Sequence, residues 1–210
     1  MILFCVRHGQ SAFNAEGRIQ GQMDTPLSEL GHRQSEAAAE ALADLGVTAL
    51  FASPLERAMS TARPIARKLG LEIVTDPRLM EINAGVFQGK VWSEIEQAYP
   101  EAARAWKGHD PDFVIPEGES RRNLMLRGRA AMESIRDSGH DRAIVVAHGG
   151  LLTAALKGLL DIPAERNPFS LHNCSISQFA WQAQFRLLSL NETAHLRDVN
   201  AGYNVTSGDL

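Results

Sequence analysis

The chain has 210 residues, 44% of them hydrophobic and 22% charged, which is the composition of a globular protein with a sizeable core. Lys and Arg together number 21, and Asp and Glu number 25, so the net charge is −4. This balance argues against a nucleic acid or an anionic membrane as partner, because proteins that bind them usually carry a basic excess. A small anionic ligand would need a local pocket of positive charge.

The chain carries no pattern typical of export or of membrane insertion. The apolar run from Met1 to Val6 is too short for a signal peptide, and no apolar stretch approaches the roughly 20 residues that cross a bilayer. Cys5 and Cys174 are the only cysteines, and two thiols without paired spacing suit a reducing compartment. We therefore expect a cytoplasmic protein, and the sequence leaves open whether it forms a homodimer.

Short apolar runs alternate with helical patterns in the first third of the chain. Residues 2–6 are continuously apolar, as expected for a strand covered on both faces. A helix is predicted over 28–46, with Ser28 as N-cap and Gly46 at its end. A strand at 47–52 and a helix over 55–70 should follow, and Pro64 should kink or break that helix.

The rest of the chain continues the alternation around one irregular region. We predict a strand at 71–75, a stronger strand at 143–147 and a helix at 151–160. A closing pair of strands is expected at 176–181 and 185–190. The pattern predicts an α/β fold, a three-layer α/β/α sandwich with a mostly parallel central sheet.

Residues 88–122 fit this alternation poorly. They combine four large aromatic residues with three prolines among polar residues. We interpret them as an insertion that lies over the core as a lid, within a single domain that covers 1–210. Its aromatic side chains could shape a pocket for an organic group or could serve packing alone.

Two histidines follow predicted strands directly. The motif RHGQS at 7–11, with Asn14 beyond it, follows the first strand, and AHGG at 147–150 follows the strongest one. In parallel sheets, ligands bind beyond the carboxyl ends of strands. Arg7 offers a planar fork of donors for phosphate oxygens, and the helix start at Gly149 offers backbone N–H groups that favour an anion.

Two further segments carry candidate site residues. Arg57 comes in the first helical turn after the strand at 47–52, where it would face the same crevice, whereas Arg63 and Arg67 are expected on the helix surface. Glu81 lies in a loop after the strand at 71–75. The remaining histidines are expected outside the site, and they are His32, His109, His140, His172 and His195.

Taken together, four ordered motifs resemble the histidine phosphatase superfamily, and its phosphoglycerate mutase-like branch in particular. These motifs are Arg7-His8-Gly9 with Asn14, the run Ser53 to Ala62, Glu81 with Gly85 and Gly89, and His148-Gly149. The resemblance covers roughly residues 1–196. It implies a phosphoric monoester hydrolase of the histidine acid phosphatase type, acting on a small phosphorylated metabolite.

The resemblance also implies residue roles. His8 would be the nucleophile that holds the phosphoryl group as a phosphoramidate, and Glu81 would act as general acid and then as base. Arg7, Arg57 and His148 would surround the phosphoryl oxygens, so that three cationic groups replace a metal and no cofactor is needed. Further contacts to phosphate or its ester oxygen are implied for Asn14, Gln20, Gly21 and Gly149.

The segment after Glu81 favours a phosphatase. Cofactor-dependent phosphoglycerate mutases carry Arg-His-Tyr-Gly there, and this chain has INAGVFQG at 82–89 instead, close to broad-specificity phosphatases except that Gln88 stands where Glu is usual. Four segments are also similar to glucosyl-3-phosphoglycerate phosphatases, although parts of them are common across the branch: RHGQS at 7–11, QGQ at 20–22, EGESR at 117–121 and VAHGG at 146–150. A phosphoglycerate mutase and a non-catalytic phosphoester-binding protein stay open as alternatives.

Overall fold

The six strands of the computed structural model, which describes residues 1–202, pair into a sheet in the order β3-β2-β4-β1-β5-β6. Their bounds are β1 Ile2–Arg7, β2 Ala49–Ala52, β3 Ile73–Thr75, β4 Arg142–Ala147, β5 Ile176–Trp181 and β6 Phe185–Glu192. The first four run parallel, and β5 and β6 form the predicted antiparallel closing pair.

Seven α-helices connect and cover these strands in the described part of the chain. They are α1 Ala12–Glu16, α2 Glu29–Leu42, α3 Glu56–Leu69, α4 Trp92–Ala98, α5 Pro100–Lys107, α6 Arg121–Arg136 and α7 Gly149–Leu159. Short 3₁₀ turns lie at Pro77–Leu79, Gly85–Phe87 and Ala194–Leu196. None of the helices within residues 1–202 is both long and apolar enough to cross a membrane.

The central strands are apolar on both faces, and successive residues pack into different cores. Leu3 and Cys5 of β1 belong to the core beneath α6 and α7, whereas Phe4 and Val6 pack with α2 and α3. Two helical layers therefore enclose the sheet, which confirms the α/β/α sandwich.

Several element boundaries differ from the sequence prediction. Helix α2 starts after the predicted N-cap Ser28 but ends at Leu42 rather than Gly46, because the Ala43 N–H bonds three residues back to Glu40 and the chain tightens into a turn. Gly46 has the expected left-handed φ of 64°, outside the helix. Helix α7 starts two residues earlier than predicted, directly after its N-cap His148.

Pro64 does not break its helix. Helix α3 runs unbroken over Glu56–Leu69 with Pro64 inside it. The proline removes one backbone donor, but Ala58, Ala62 and Ile65 on the same helix are fully buried against the sheet. Burial of this apolar face holds the helix together across the missing hydrogen bond.

The region 88–122 contributes to the main core. It holds α4 and α5, and its residues Ile95, Trp106 and Ile115 are buried in the same cluster as Leu124 of α6. The insertion therefore packs on the α6 and α7 side of the sheet. Its action as a lid stays a prediction.

Candidate active site

The two histidines that follow strands lie side by side because their strands are neighbours in register. Arg7 at the end of β1 pairs with Ala147 at the end of β4, and the His8 N–H donates to the Ala147 carbonyl at 2.9 Å. The residue directly after the end of each of these two strands is a histidine. The centroids of the His8 and His148 rings are 5.1 Å apart, with the ring planes at 59°.

A cavity of about 550 Å³ opens at this edge of the sheet. Of the nine site residues predicted from the sequence, seven line it, namely Arg7, His8, Asn14, Gln20, Gly21, Arg57 and Glu81. His148 is fully buried beside the His8 ring, outside the lining. Gly149 is also buried, and it is Gly150 that reaches the cavity wall.

The His8 ring is held in one tautomer. Its Nδ1 lies 2.7 Å from the Gly9 carbonyl oxygen. Because a carbonyl can only accept, Nδ1 carries the proton and Nε2 keeps a lone pair. Burial, followed by the charges of Arg57 and Arg7, lowers the pKa of His8 well below 6.5, against the Gly9 carbonyl, which raises it. The ring is therefore neutral at pH 7, as a nitrogen nucleophile must be.

His148 is fixed by a serine at the end of a third strand. Its Nε2 lies 2.7 Å from the Ser53 Oγ, directly after β2. Its buried Nδ1 has no hydrogen-bond partner within residues 1–202. Burial, then the charges of Arg57, His8, Arg7 and Arg127, lowers the pKa of His148 well below 6.5. The sequence analysis counted this ring among the cations, but without an anion nearby it is neutral at pH 7.

Backbone carbonyl oxygens hold the two buried guanidinium groups. Arg57 donates through Nη1 to the Met23 carbonyl at 2.8 Å and through Nη2 to the Gly21 carbonyl at 2.7 Å. Burial lowers its pKa to about 10, so it stays charged at pH 7. Arg7 donates through Nη1 to the Leu171 carbonyl. The neutral acceptors of Arg57 orient its guanidinium group and leave its positive charge for an anion in the cavity.

Two buried nitrogen donors of residues that line the cavity have no hydrogen-bond acceptor in the described part of the chain. Asn14 accepts the Asn173 side-chain amide at 3.2 Å and the Ser11 N–H at 3.1 Å through its carbonyl oxygen. The Asn14 amide nitrogen and the Arg57 Nε are buried with no partner among residues 1–202. Buried donors in proteins are almost always bonded. A ligand that accepts hydrogen bonds would satisfy both.

Glu81 reaches the cavity from the loop after β3. Its Oε1 accepts the Ile82 N–H at 2.8 Å, and its Oε2 accepts the Gly150 N–H at 3.0 Å. Each oxygen has one backbone partner, which leaves a lone pair on each for a proton. The carboxyl group is thereby fixed on the cavity wall.

The sequence analysis missed several residues of the outer cavity, by which we mean the part of the lining away from the predicted phosphoryl site. They are Arg18, Ile19, Trp92, Trp106, Lys107, His109, Arg121, Lys157, Glu165 and Phe169, and His109 had been expected elsewhere. The two tryptophans come from the insertion, whose aromatic content had suggested a pocket. Lys157 had its own sequence signal, since it is the one charge inside the apolar helix 151–160. His172 bonds Asn191 and His195 lies near the Cys174 carbonyl, both outside the lining.

No three His, Cys, Asp or Glu side chains in the described part of the chain lie close enough together to hold a metal ion.

The chain belongs to the histidine phosphatase superfamily (branch 1), whose sequence profile matches residues 3–193. It is 38% identical over 207 residues to the probable phosphoglycerate mutase GpmB of Yersinia enterocolitica, covering 92% of this chain and 94% of that protein. A mycobacterial glucosyl-3-phosphoglycerate phosphatase superposes with a TM-score of 0.82 at 35% identity, covering 90% of this chain and 98% of the other. The alpha-ribazole phosphatase from Shigella flexneri superposes with a TM-score of 0.85 at 27% identity, covering 92% and 98%.

Proposed function

We propose that the chain is a metal-independent phosphomonoesterase of the histidine acid phosphatase type that acts on a small phosphorylated metabolite through a phosphohistidine at His8. The observation that carries the proposal is the tautomer of His8. The Gly9 carbonyl fixes the proton on Nδ1, the ring is neutral, and the free Nε2 lies beside two buried guanidinium groups that suit a phosphoryl dianion.

In the first step, His8 Nε2 attacks phosphorus, a P–N bond forms and the P–O bond to the leaving group breaks. Arg7, Arg57 and the Asn14 amide nitrogen hold the equatorial oxygens as their charge redistributes. Glu81, as the carboxylic acid, transfers its proton to the leaving alkoxide. The alcohol leaves, and Glu81 becomes a carboxylate.

In the second step, water attacks the phosphohistidine. The Glu81 carboxylate takes a proton from that water, a new P–O bond forms, and the P–N bond breaks. Inorganic phosphate leaves, His8 returns to its neutral tautomer, and Glu81 is again an acid. A bound dianion would raise the pKa of His148, so that this ring could donate from Nδ1 while Ser53 holds Nε2.

The proposal is tested by trapping the intermediate. Rapid mixing with a ³²P-labelled phosphomonoester should give a protein adduct that is stable in base and lost in acid, as a phosphoramidate is. His8→Ala should abolish the adduct and lower kcat at least about 1,000-fold, with the thermal unfolding midpoint checked to show that it folds. His32→Ala, an exposed histidine on α2, is the matched control and should keep both.

Three outcomes would contradict this proposal. Turnover of an aryl phosphate that disappears in EDTA would indicate a metallophosphatase. Full turnover by His8→Ala without an adduct would remove His8 as nucleophile. A protein that hydrolyses nothing and forms no adduct would instead be the non-catalytic phosphoester-binding protein.

A second candidate is a mutase, favoured by the 38% identity to a protein named as a probable phosphoglycerate mutase. A mutase must transfer the phosphoryl group from His8 to a phosphoglycerate rather than to water, retain the bisphosphate so formed, and take one phosphoryl group back from it. Isomerisation of 3-phosphoglycerate that depends on 2,3-bisphosphoglycerate and outpaces phosphate release would establish it. We expect phosphate release to dominate.

A further inference from the structure

Cationic side chains outnumber carboxylates in the cavity lining, although the chain as a whole is negative. Six cationic side chains line the cavity, against the two carboxylates Glu81 and Glu165, while the net charge of the chain is −4. Two of the six, Arg7 and Arg57, lie near His8 and bind the phosphoryl oxygens in the proposed mechanism. The other four line the outer cavity, and they are Arg18, Lys107, Arg121 and Lys157.

Carboxylates neutralise two of these outer cations. Arg18 forms ion pairs with Glu16 at 2.9 Å and with Glu94 at 3.1 Å. Lys107 forms an ion pair with Glu96 and lies over the Trp92 ring. The partners of both cations are acidic residues outside the cavity lining, so Arg18 and Lys107 add little net charge to the site.

Arg121 has no such partner. Its guanidinium carbon lies 3.3 Å from the centroid of the Trp106 ring, and its Nη1 donates to the Trp106 carbonyl at 3.0 Å. No carboxylate of residues 1–202 forms an ion pair with it. Burial lowers its pKa to about 10, so the group stays charged at pH 7. A guanidinium has five N–H donors, and most of those of Arg121 are left for a ligand.

Lys157 is the second uncompensated cation. It is buried on α7, where Nζ donates to the Ala164 carbonyl at 3.0 Å and to the Arg166 carbonyl at 2.9 Å. An ammonium has three N–H groups, so one is left for a ligand. Burial and the charge of Arg121 lower the pKa of Lys157, against a smaller raising effect of the exposed Glu165. The two cations therefore lie near enough to repel each other.

We propose that Arg121 and Lys157 form a second anion subsite, and that the substrate is a phosphomonoester with a second anionic group, a carboxylate or another phosphate, at its far end. This inference rests on the proposed phosphatase function. An anion between the two cations relieves their repulsion and replaces the water lost on burial. The stacked Trp106 holds the planar guanidinium in place for bidentate contact.

The test uses phosphomonoesters that differ at the far end only. One series ends in a carboxylate, phosphonooxy-alkanoic acids of two, four and six carbons, and a second ends in a phosphate. The matched neutral series ends in hydroxymethyl. At the best chain length we expect kcat/KM for an acid-ended ester to exceed that of its neutral partner by about tenfold to a hundredfold. The better acidic series identifies the anion.

Variants separate the subsite from the rest of the pocket. Arg121→Gln and Lys157→Gln should each lower the acid-to-neutral ratio of kcat/KM by about tenfold, mainly through KM, and Arg121→Lys should restore part of it. Arg122→Gln, an exposed arginine one residue along α6 that pairs with Asp112, is the matched control and should keep the ratio.

Hydrolysis of all the esters without preference for acidic ends would contradict the proposed subsite but not the proposed phosphatase function. So would a preference that persists in Arg121→Gln and Lys157→Gln, provided that both variants keep the thermal unfolding midpoint of the parent. Failure of the proposed function looks different, since no adduct then forms at His8, whether or not the esters are hydrolysed.

Discussion

Gly150 lies in the first turn of α7, and its N–H donates to the Glu81 Oε2 at 3.0 Å. A Cβ atom at this position would lie 2.6 Å from the Glu81 Oε1, well inside van der Waals contact. The glycine therefore allows the carboxylate to approach the helix start and accept its backbone donor. The sequence analysis gave the anion contact to Gly149, whereas in the structure it is the N–H of the next residue, Gly150, that binds the Glu81 carboxylate.

At the residue scale we predict that Glu81→Gln and Gly150→Ala share one kinetic signature. Each removes or displaces the proton donor, so kcat should fall about 100-fold or more for alkyl phosphates, whose leaving groups need a proton, and much less for aryl phosphates. Stability should change little in Gly150→Ala, because alanine favours the helix by up to about 1 kcal/mol. Steady-state kinetics with both ester classes measure this.

Gly158→Ala, in the same helix, is the control and should leave the ratio of alkyl to aryl hydrolysis unchanged. Its Cβ would meet the flexible Met125 side chain at 3.2 Å, far from the carboxylate. An equal loss for alkyl and aryl esters in Glu81→Gln, with histidine phosphorylation rate-limiting, would show that Glu81 is not the acid.

At the scale of elements, α6 positions the loop that carries Glu81. Arg127 of α6 donates to the Met80 carbonyl at 2.6 Å and to the Glu81 carbonyl at 2.8 Å, and it forms an ion pair with Glu119 at 2.6 Å. Glu119 in turn accepts the Asn83 N–H at 2.7 Å. One partly buried pair thus fixes the backbone on both sides of the catalytic candidate.

We therefore predict that Arg127→Gln acts through Glu81. The variant should lower kcat for alkyl phosphates about tenfold and affect aryl phosphates less. This is the same pattern as that expected for Glu81→Gln, with a smaller effect. In the double variant with Glu81→Gln, the effect of Arg127→Gln on that ratio should vanish. Equal losses for both ester classes would indicate a role in stability alone. Arg129→Gln, on the exposed side of α6, should leave the ratio unchanged.

At the scale of the whole molecule, the fold keeps two imidazoles neutral in its interior. The pKa of both His8 and His148 is lowered well below 6.5, mainly by burial. An unfolded chain titrates its histidines near 6.5. Below that pH the unfolded chain binds protons that the folded chain excludes, so the free energy of unfolding falls as pH decreases.

We predict that this loss is measurable between about pH 7 and about pH 5. Each buried histidine contributes up to about 1.4 kcal/mol per pH unit below its unfolded pKa, so His148→Asn and His8→Asn should each flatten the decline. Urea unfolding of the parent and both variants across this range tests it. The exposed control His32→Asn should keep the parent slope, and an unchanged slope in both buried variants would contradict the prediction.

The sequence by itself determined the family, the sandwich and most of the residues that line the cavity beside His8, because these follow from local patterns. A histidine directly after a parallel strand must lie at the carboxyl edge of the sheet, and His8 and His148 meet there since β1 and β4 pair in register. Only the tertiary structure decided which groups Arg127, Arg121 and Lys157 contact. Helical spacing predicts the face of the helix on which a charged side chain lies. The group that this side chain contacts is set by packing between segments distant in the chain.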